Sequence, residues 1–156
     1  MKKFLILILS LMIFSSCSDN SKKISELERK FEDAKPYKPG FGEFMTYIQI
    51  HHDKLWFAGI NQNWELAKFE IDEIKETFYN LKMYQPEREE TKLIPMISVP
   101  LEKVSASIEK RDITLFKDSF VYLTNTCNDC HRAADFQFNK IKIPDSPPFS
   151  NQVFKK

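Results

Sequence analysis

Residues 113–131 read ITLFKDSFVYLTNTCNDCH. Apolar side chains and two cysteines recur along this stretch in steps of three and four, at Ile113, Phe116, Phe120, Leu123, Cys127 and Cys130. This spacing places all of them on one face of an α-helix, the pattern of a helix that packs into a helical core. The stretch therefore predicts an amphipathic helix whose buried face ends in two thiols, with His131 directly after them.

Three segments upstream show the same helical period. Their apolar faces are formed by Phe41, Met45, Ile48, His52, Leu55 and Gly59, then by Trp64, Ala67, Ile71, Ile74, Phe78 and Leu81, and then by Ile97, Leu101, Val104 and Ile108. No segment alternates with period two, and three glycines are few for a fold that depends on tight hairpins. We predict an all-α fold, an antiparallel four-helix bundle over residues 41–135 with Cys-x-x-Cys-His at the end of its last helix.

Several residues have the chemistry of helix ends. Gly59 is expected to end the first helix, because glycine favours the position just past a helix C-terminus. Side-chain caps are expected at the N-termini of the next three helices, from Asn61 or Asn63, from Ser98 and from Asp112. Such short connections favour antiparallel neighbours.

The chain begins MKKFLILILSLMIFSSC. Two lysines precede about a dozen mostly apolar residues, a run too short to span a bilayer but suited to a secretory signal. Phe14-Ser15-Ser16-Cys17 resembles the lipobox of bacterial lipoproteins, although that family prefers Leu or Val at the position of Phe14. The resemblance implies a signal peptide over residues 1–16, lipid on Cys17, and a lipid-anchored protein of the bacterial cell envelope that faces the periplasm or the cell surface. Plain secretion is the alternative.

The composition limits which functions the mature chain can have. Removing residues 1–16, which hold two lysines and no acidic residue, changes the formal net charge from +1 to −1. No basic surface then suggests nucleic acid. We expect residues 17–40 to form a lipidated N-terminus and linker, residues 41–135 the bundle, and residues 136–156 a C-terminal strap or tail. With Cys17 lipidated, Cys127 and Cys130 are the only remaining cysteine pair.

A close cysteine pair serves zinc binding, thiol–disulfide exchange or covalent haem attachment. Cys-x-x-Cys-His is the attachment motif of c-type haem. On a helix, positions i and i+3 share a face, so both sulfurs reach the two vinyl groups of one porphyrin. His131 lies one turn above Cys127, from where its imidazole can approach the iron.

The two rival chemistries need other surroundings. Zinc sites usually have four ligands, and the remaining histidines are His51 and His52. A zinc site from Cys127, Cys130, His131 and His52 stays open as an alternative. A redox-active pair favours a helix N-terminus, whereas this pair lies at a predicted C-terminal end, where the helix dipole disfavours thiolate.

A four-helix bundle that ends in this motif resembles the cytochrome c′ and cytochrome c556 group. The resemblance implies one covalent haem c, with thioethers at Cys127 and Cys130 and with His131 as an iron ligand. Residues 52–70, HDKLWFAGINQNWELAKFE, are similar to a segment of small bacterial bundle cytochromes.

Two residues of the first helix are candidates for the opposite iron ligand. His52 lies on the apolar face, where an imidazole needs a partner for its nitrogen. Resemblance to the cytochrome c556 group implies a methionine near the start of the first helix, which maps onto Met45. A hydrogen-bonded core histidine and simple core packing are the respective alternatives.

The ligand count separates the functional predictions. Two firm ligands are typical of an electron carrier, and one ligand is typical of a haem that binds NO or CO. We predict a membrane-tethered monohaem c-type cytochrome that passes single electrons to an unidentified redox partner protein, rather than a metabolic enzyme. A five-coordinate gas-binding protein and a haem-free interaction lipoprotein are the alternatives. A homodimer stays open.

Overall fold

The computed structural model describes residues 20–156. The predicted signal peptide and the lipid on Cys17 lie outside the described residues. The chain divides into two compact units, with the boundary between Lys38 and Pro39. The described part of the first unit is a helix over residues 20–34, α1, followed by a short 3-10 helix, Lys35–Tyr37.

The second unit is built from four further α-helices. They are α2 (Phe41–Ile60), α3 (Trp64–Tyr84), α4 (Ser98–Glu109) and α5 (Ile113–Ala133). A 3-10 helix, Glu89–Ile97, leads from α3 into α4. Residues 20–156 contain no strand, so the all-α prediction is confirmed.

The core is formed mostly by the residues that the helical period indicated. Sixteen residues of the four predicted apolar faces are buried, namely Ile48, His52, Leu55, Gly59, Trp64, Ala67, Ile71, Ile74, Leu81, Ile97, Leu101, Val104, Ile108, Phe116, Phe120 and Leu123. Helix α2 packs on α3, α3 on α4, α4 on α5, and α5 on α2. The tail adds Phe154, whose buried ring lies 5.7 Å from that of Phe57.

Two of the predicted helix caps are confirmed. The Asn63 side chain accepts a hydrogen bond from the backbone N–H of Leu66 at 3.3 Å. Asp112 accepts from two backbone N–H groups of the first turn of α5, both at 2.9 Å. The predicted cap at Ser98 is wrong, because the preceding 3-10 helix runs directly into α4 and Ser98 is already helical.

The prediction that Gly59 ends α2 is also wrong. Three helices end instead on non-glycine residues in the left-handed region, Gln62, Arg111 and Asp135, with φ of 56°, 53° and 61°. Each end has the two backbone hydrogen bonds of a Schellman motif; after α2 they run from Asn63 N to Ala58 O and from Gln62 N to Gly59 O, both at 2.9 Å. Because glycine is the usual residue at this position, the sequence did not indicate these three helix ends.

Gly59 lies inside α2 for a packing reason. A Cβ at this position would lie 2.1 Å from the ring of Phe116, a fully buried residue of α5. The missing side chain therefore lets the two helices come close together. Trp56 and Trp64 pack around the same ring, with centroids at 6.3 and 6.1 Å.

A buried carboxylate joins α2 to α3. The Glu70 side chain is fully buried and lies 2.6 Å from Nδ1 of His51. Lys54 Nζ is 2.7 Å from the other carboxylate oxygen, in the geometry of an ion pair rather than of a directed hydrogen bond. A buried charge is tolerated when it is paired in this way, and removing one partner costs several kcal/mol, about 3–5.

We expect Gly59→Ala to destabilise the protein by about 1–3 kcal/mol, because the added methyl group overpacks the contact with Phe116. The gain in helix propensity, about 1 kcal/mol, acts in the opposite direction and is the smaller effect. Urea unfolding followed by circular dichroism measures the change.

Gly42→Ala is the matched control, since a Cβ at Gly42 in the first turn of α2 meets nothing within 4 Å. That variant should be neutral or more stable. Equal stability changes in the two variants would contradict the packing role of Gly59.

Candidate functional site

A cavity of about 350 Å³ opens between α2, α5, the 3-10 helix and the tail. Its walls are mostly apolar, and its volume falls in the range of roughly 300–1,000 Å³ that is usual for ligand sites. The five residues predicted for haem and iron binding all border it: Met45, His52, Cys127, Cys130 and His131. The structure therefore brings together side chains that are up to 86 positions apart in the sequence.

The register of α5 places three of these groups at one end of the helix. Phe116, Phe120 and Leu123 fix the helix in the core by complete or nearly complete burial. Continuing the same face by one and two turns brings the half-buried Cys127 and Cys130 to the cavity. Because α5 ends only at Ala133, both thiols and His131 are held on regular helix.

The tail fixes the tautomer of His131. Nδ1 of this imidazole lies 2.6 Å from the backbone carbonyl oxygen of Asn139. A carbonyl can only accept, so Nδ1 carries the hydrogen and donates it. The neutral ring then has its lone pair on Nε2, the nitrogen that a metal ion would bind.

Cys127 and Cys130 do not form a disulfide. Burial is the main reason that the pKa of the Cys127 thiol rises to about 12, and the neighbouring Cys130 raises it further. Burial also raises the pKa of Cys130. Both groups are therefore protonated at neutral pH, whereas a thiolate is the reactive form in thiol–disulfide exchange.

The zinc alternative gains no support from the side-chain geometry. Within residues 20–156, no three or more His, Cys, Asp or Glu side chains are grouped as a metal ion would require. His52 is engaged elsewhere, because its Nε2 lies 2.9 Å from Oγ1 of Thr124.

The hydrogen bonds around His52 also show which ring nitrogen carries its hydrogen. Thr124 donates its own hydroxyl hydrogen to the carbonyl of Phe120 at 2.9 Å, so its oxygen accepts from Nε2 of His52. Burial lowers the pKa of His52 to about 4, which keeps the ring neutral at pH 7. Ligation through Nε2 would require breaking the bond to Thr124, so the role of His52 as an iron ligand stays a prediction.

Met45 borders the same cavity two turns before His52. Its side chain is half-buried and packs against the core. The thioether is a soft, flexible group that suits either core packing or metal binding. Its role as a ligand likewise stays a prediction.

Two walls of the cavity come from segments outside the four long helices. The 3-10 helix contributes Ile94 and Ile97, and the residue before it, Arg88, makes a two-pronged contact with Glu90 at 2.6 and 3.1 Å. The tail contributes further residues after α5, Phe136, Asn139 and Ile141. Ile97 was predicted to lie on an apolar helix face and the tail was expected as a strap, but neither prediction included a place in the cavity wall.

Comparisons of this chain with protein-family models, with curated proteins and with solved structures found no match. In the part of the chain that the structure describes, no helix is both long and apolar enough to cross a bilayer.

The lowered pKa of His52 predicts a pH dependence of stability. The unfolded state takes up a proton near the ordinary pKa of 6.5, whereas the folded state resists protonation until about pH 4. The stabilisation is therefore complete above pH 6.5 and is lost progressively as the pH falls towards 4, by about 3 kcal/mol. Urea unfolding between pH 4 and 8 measures the loss.

His52→Gln keeps a polar group of similar reach but cannot take up the proton. As the pH falls from 6.5 towards 4, the wild type should therefore lose about 3 kcal/mol more of its unfolding free energy than this variant does. Parallel curves for the two proteins would contradict the assignment.

Proposed function

We propose that this protein is a membrane-tethered, monohaem c-type cytochrome that transfers one electron at a time. In this proposal α2–α5 form an antiparallel four-helix bundle, and the haem is attached at the end of the last helix. The single observation that carries the proposal is that Cys127, Cys130 and His131 border one apolar cavity.

Contacts between α2 and α5 support the antiparallel arrangement. Gly59 near the end of α2 meets Phe116 near the start of α5. His52, two turns earlier in α2, meets Thr124, two turns later in α5. Three-residue connections join α2 to α3 and α4 to α5, as is common between antiparallel neighbours.

The residues around the cavity fit a covalently attached haem. Cys127 and Cys130 would hold the haem through two thioethers, each formed by net addition of S–H across a vinyl group, so no oxidant would be needed. His131 holds its Nδ1 hydrogen on Asn139 and keeps Nε2 for iron.

Once bound, a haem supplies a reversible one-electron couple. The apolar walls from Ile48, Ile94 and Ile97 keep water away from the bound group. His52, or alternatively Met45, is proposed as the second iron ligand. A partner protein would dock transiently, through the small interface that is typical of redox encounters.

Lipid on Cys17 would hold the protein at the bacterial cell envelope, facing the periplasm or the cell surface. The lipobox resemblance carries this part of the proposal. A single lipidated residue with several acyl chains binds a membrane firmly, because each buried CH₂ group contributes about 0.8 kcal/mol.

A five-coordinate haem that binds NO or CO is the second candidate. It is favoured by the bond between His52 Nε2 and Thr124, which occupies the nitrogen that the sixth ligand would use. The same hydrogen bond would then keep a neutral, apolar-flanked imidazole beside the open position.

Expression in a bacterium with cytochrome c maturation should give a red protein whose haem resists extraction with acidified acetone. The double variant Cys127→Ala, Cys130→Ala should lose the covalent haem entirely, because no thiol then remains at the cavity. The pyridine haemochrome spectrum measures the attachment.

Cys17→Ser is the control with the third cysteine removed. It should keep the haem but move the protein from the membrane fraction to the soluble fraction. A colourless wild-type protein from a competent host would contradict the cytochrome proposal and favour a haem-free lipoprotein.

Adding CO to the reduced protein distinguishes the two candidates. Electron transfer with two firm ligands predicts an unchanged visible spectrum within minutes, and an open position predicts an immediate shift of the Soret band. In the first case, either Met45→Ala or His52→Ala should open the site to CO, whichever residue is the ligand. If neither variant binds CO, both ligand assignments are wrong.

A further inference from the structure

Asn128 lies between the two cysteines but turns away from the cavity towards the tail. Its side-chain Nδ2 donates to the carbonyl of Ile141 at 2.8 Å, and the backbone N–H of Ile141 donates to Asn128 Oδ1, also at 2.8 Å. Because the backbone N–H only donates and the carbonyl only accepts, one amide orientation alone satisfies both bonds. The side chain thus pairs with Ile141 as a neighbouring peptide group would.

The tail between α5 and Ile141 is fixed at its other end by the helix terminus. Asp135 adopts the left-handed conformation, and Phe136 N donates to the carbonyl of His131 at 2.7 Å. A turn then follows, with Asn139 N donating to the carbonyl of Phe136 at 2.9 Å. Asn139 therefore lies between two anchored points, Phe136 and Ile141.

The carbonyl of Asn139 is the group that accepts the Nδ1 hydrogen of His131. We propose that Asn128 is a positioning residue: by clamping Ile141, it holds the Asn139 carbonyl where it sets the tautomer and orientation of the His131 imidazole. This inference rests on the proposed function for its redox consequence, but the clamp itself is a property of the polypeptide. Asn128 does not border the cavity; within α5 its Nδ2 also donates to the carbonyl of Thr124 at 3.2 Å.

The clamp has a consequence for the proposed iron ligand. An imidazole that donates its Nδ1 hydrogen to a carbonyl is a more basic ligand at Nε2. A more basic ligand stabilises ferric over ferrous iron and so lowers the midpoint potential. Loss of the clamp should therefore raise the potential and expose the Nδ1 hydrogen to solvent.

The test compares wild type with Asn128→Ala, which keeps both cysteines and His131. Alanine has the higher helix propensity, so α5 is expected to survive the substitution. Two measurements follow: hydrogen exchange of the Ile141 amide in the haem-free protein, and the midpoint potential together with the NMR signal of the His131 Nδ1 hydrogen in the haem-loaded protein.

Asn125→Ala serves as the control, because it makes the same substitution at an exposed position of α5. It should leave the potential and the exchange rates unchanged.

We expect Ile141 exchange to accelerate about tenfold or more in Asn128→Ala, because the Ile141 N–H loses its hydrogen bond to Asn128 Oδ1. We also expect a higher potential and faster exchange of the Nδ1 hydrogen. Unchanged exchange at Ile141 would overturn the clamp, whether or not haem is present. Faster exchange at Ile141 with an unchanged potential and Nδ1 signal would overturn the positioning role. Absence of haem in wild type would instead overturn the proposed function and leave the exchange result to decide the clamp.

Discussion

The contact between Gly59 and the ring of Phe116 limits how the rest of the helical unit can be arranged. Phe116 occupies the space that a side chain at position 59 would fill, which holds α2 and α5 together at one end. Two turns along, the bond between His52 and Thr124 joins the helices again. Beyond it the space between them is the cavity, closed by the 3-10 helix and the tail rather than by direct helix contact.

Each of the three histidines has a hydrogen-bonding partner of a different kind. His51 meets the buried carboxylate of Glu70, His52 meets a hydroxyl group, and His131 meets a backbone carbonyl. These partners decide which ring nitrogen carries hydrogen, and therefore which nitrogen has a lone pair. Among the two histidines that border the cavity, the partner leaves the lone pair on Nε2 in His131 and occupies Nε2 in His52. Three residues of the same type thus differ in chemistry because their hydrogen-bonding partners differ.

Helical periodicity predicted most of the core, because the buried faces of α2, α3, α4 and α5 follow side-chain spacing. It failed where backbone conformation mattered more than side-chain type. Gln62, Arg111 and Asp135 take a conformation that glycine usually adopts, and Gly59 serves packing instead of termination. The burial of Glu70 was also hidden, since its partners come from another helix.

The candidate site, too, could be predicted from the sequence only in part. Cys127, Cys130 and His131 could be recognised from spacing, and Met45 and His52 from their place on the first helical face. Ile97 and a C-terminal strap were expected, but their place in the cavity wall could not be predicted, because it depends on tertiary contacts such as the pairing of Asn128 with Ile141. Thr124 was likewise missed, since a threonine one turn before the motif has no distinctive pattern.

The proposed function requires both thiols at the cavity to carry one porphyrin. Mass spectrometry of the matured protein after tryptic digestion shows whether they do, because the peptide of residues 118–132 contains both cysteines and His131. We expect this peptide to carry the mass of one intact haem, bonded through both sulfurs. An unmodified peptide, or one lighter by a pair of hydrogens because Cys127 and Cys130 are joined in a disulfide, would contradict it.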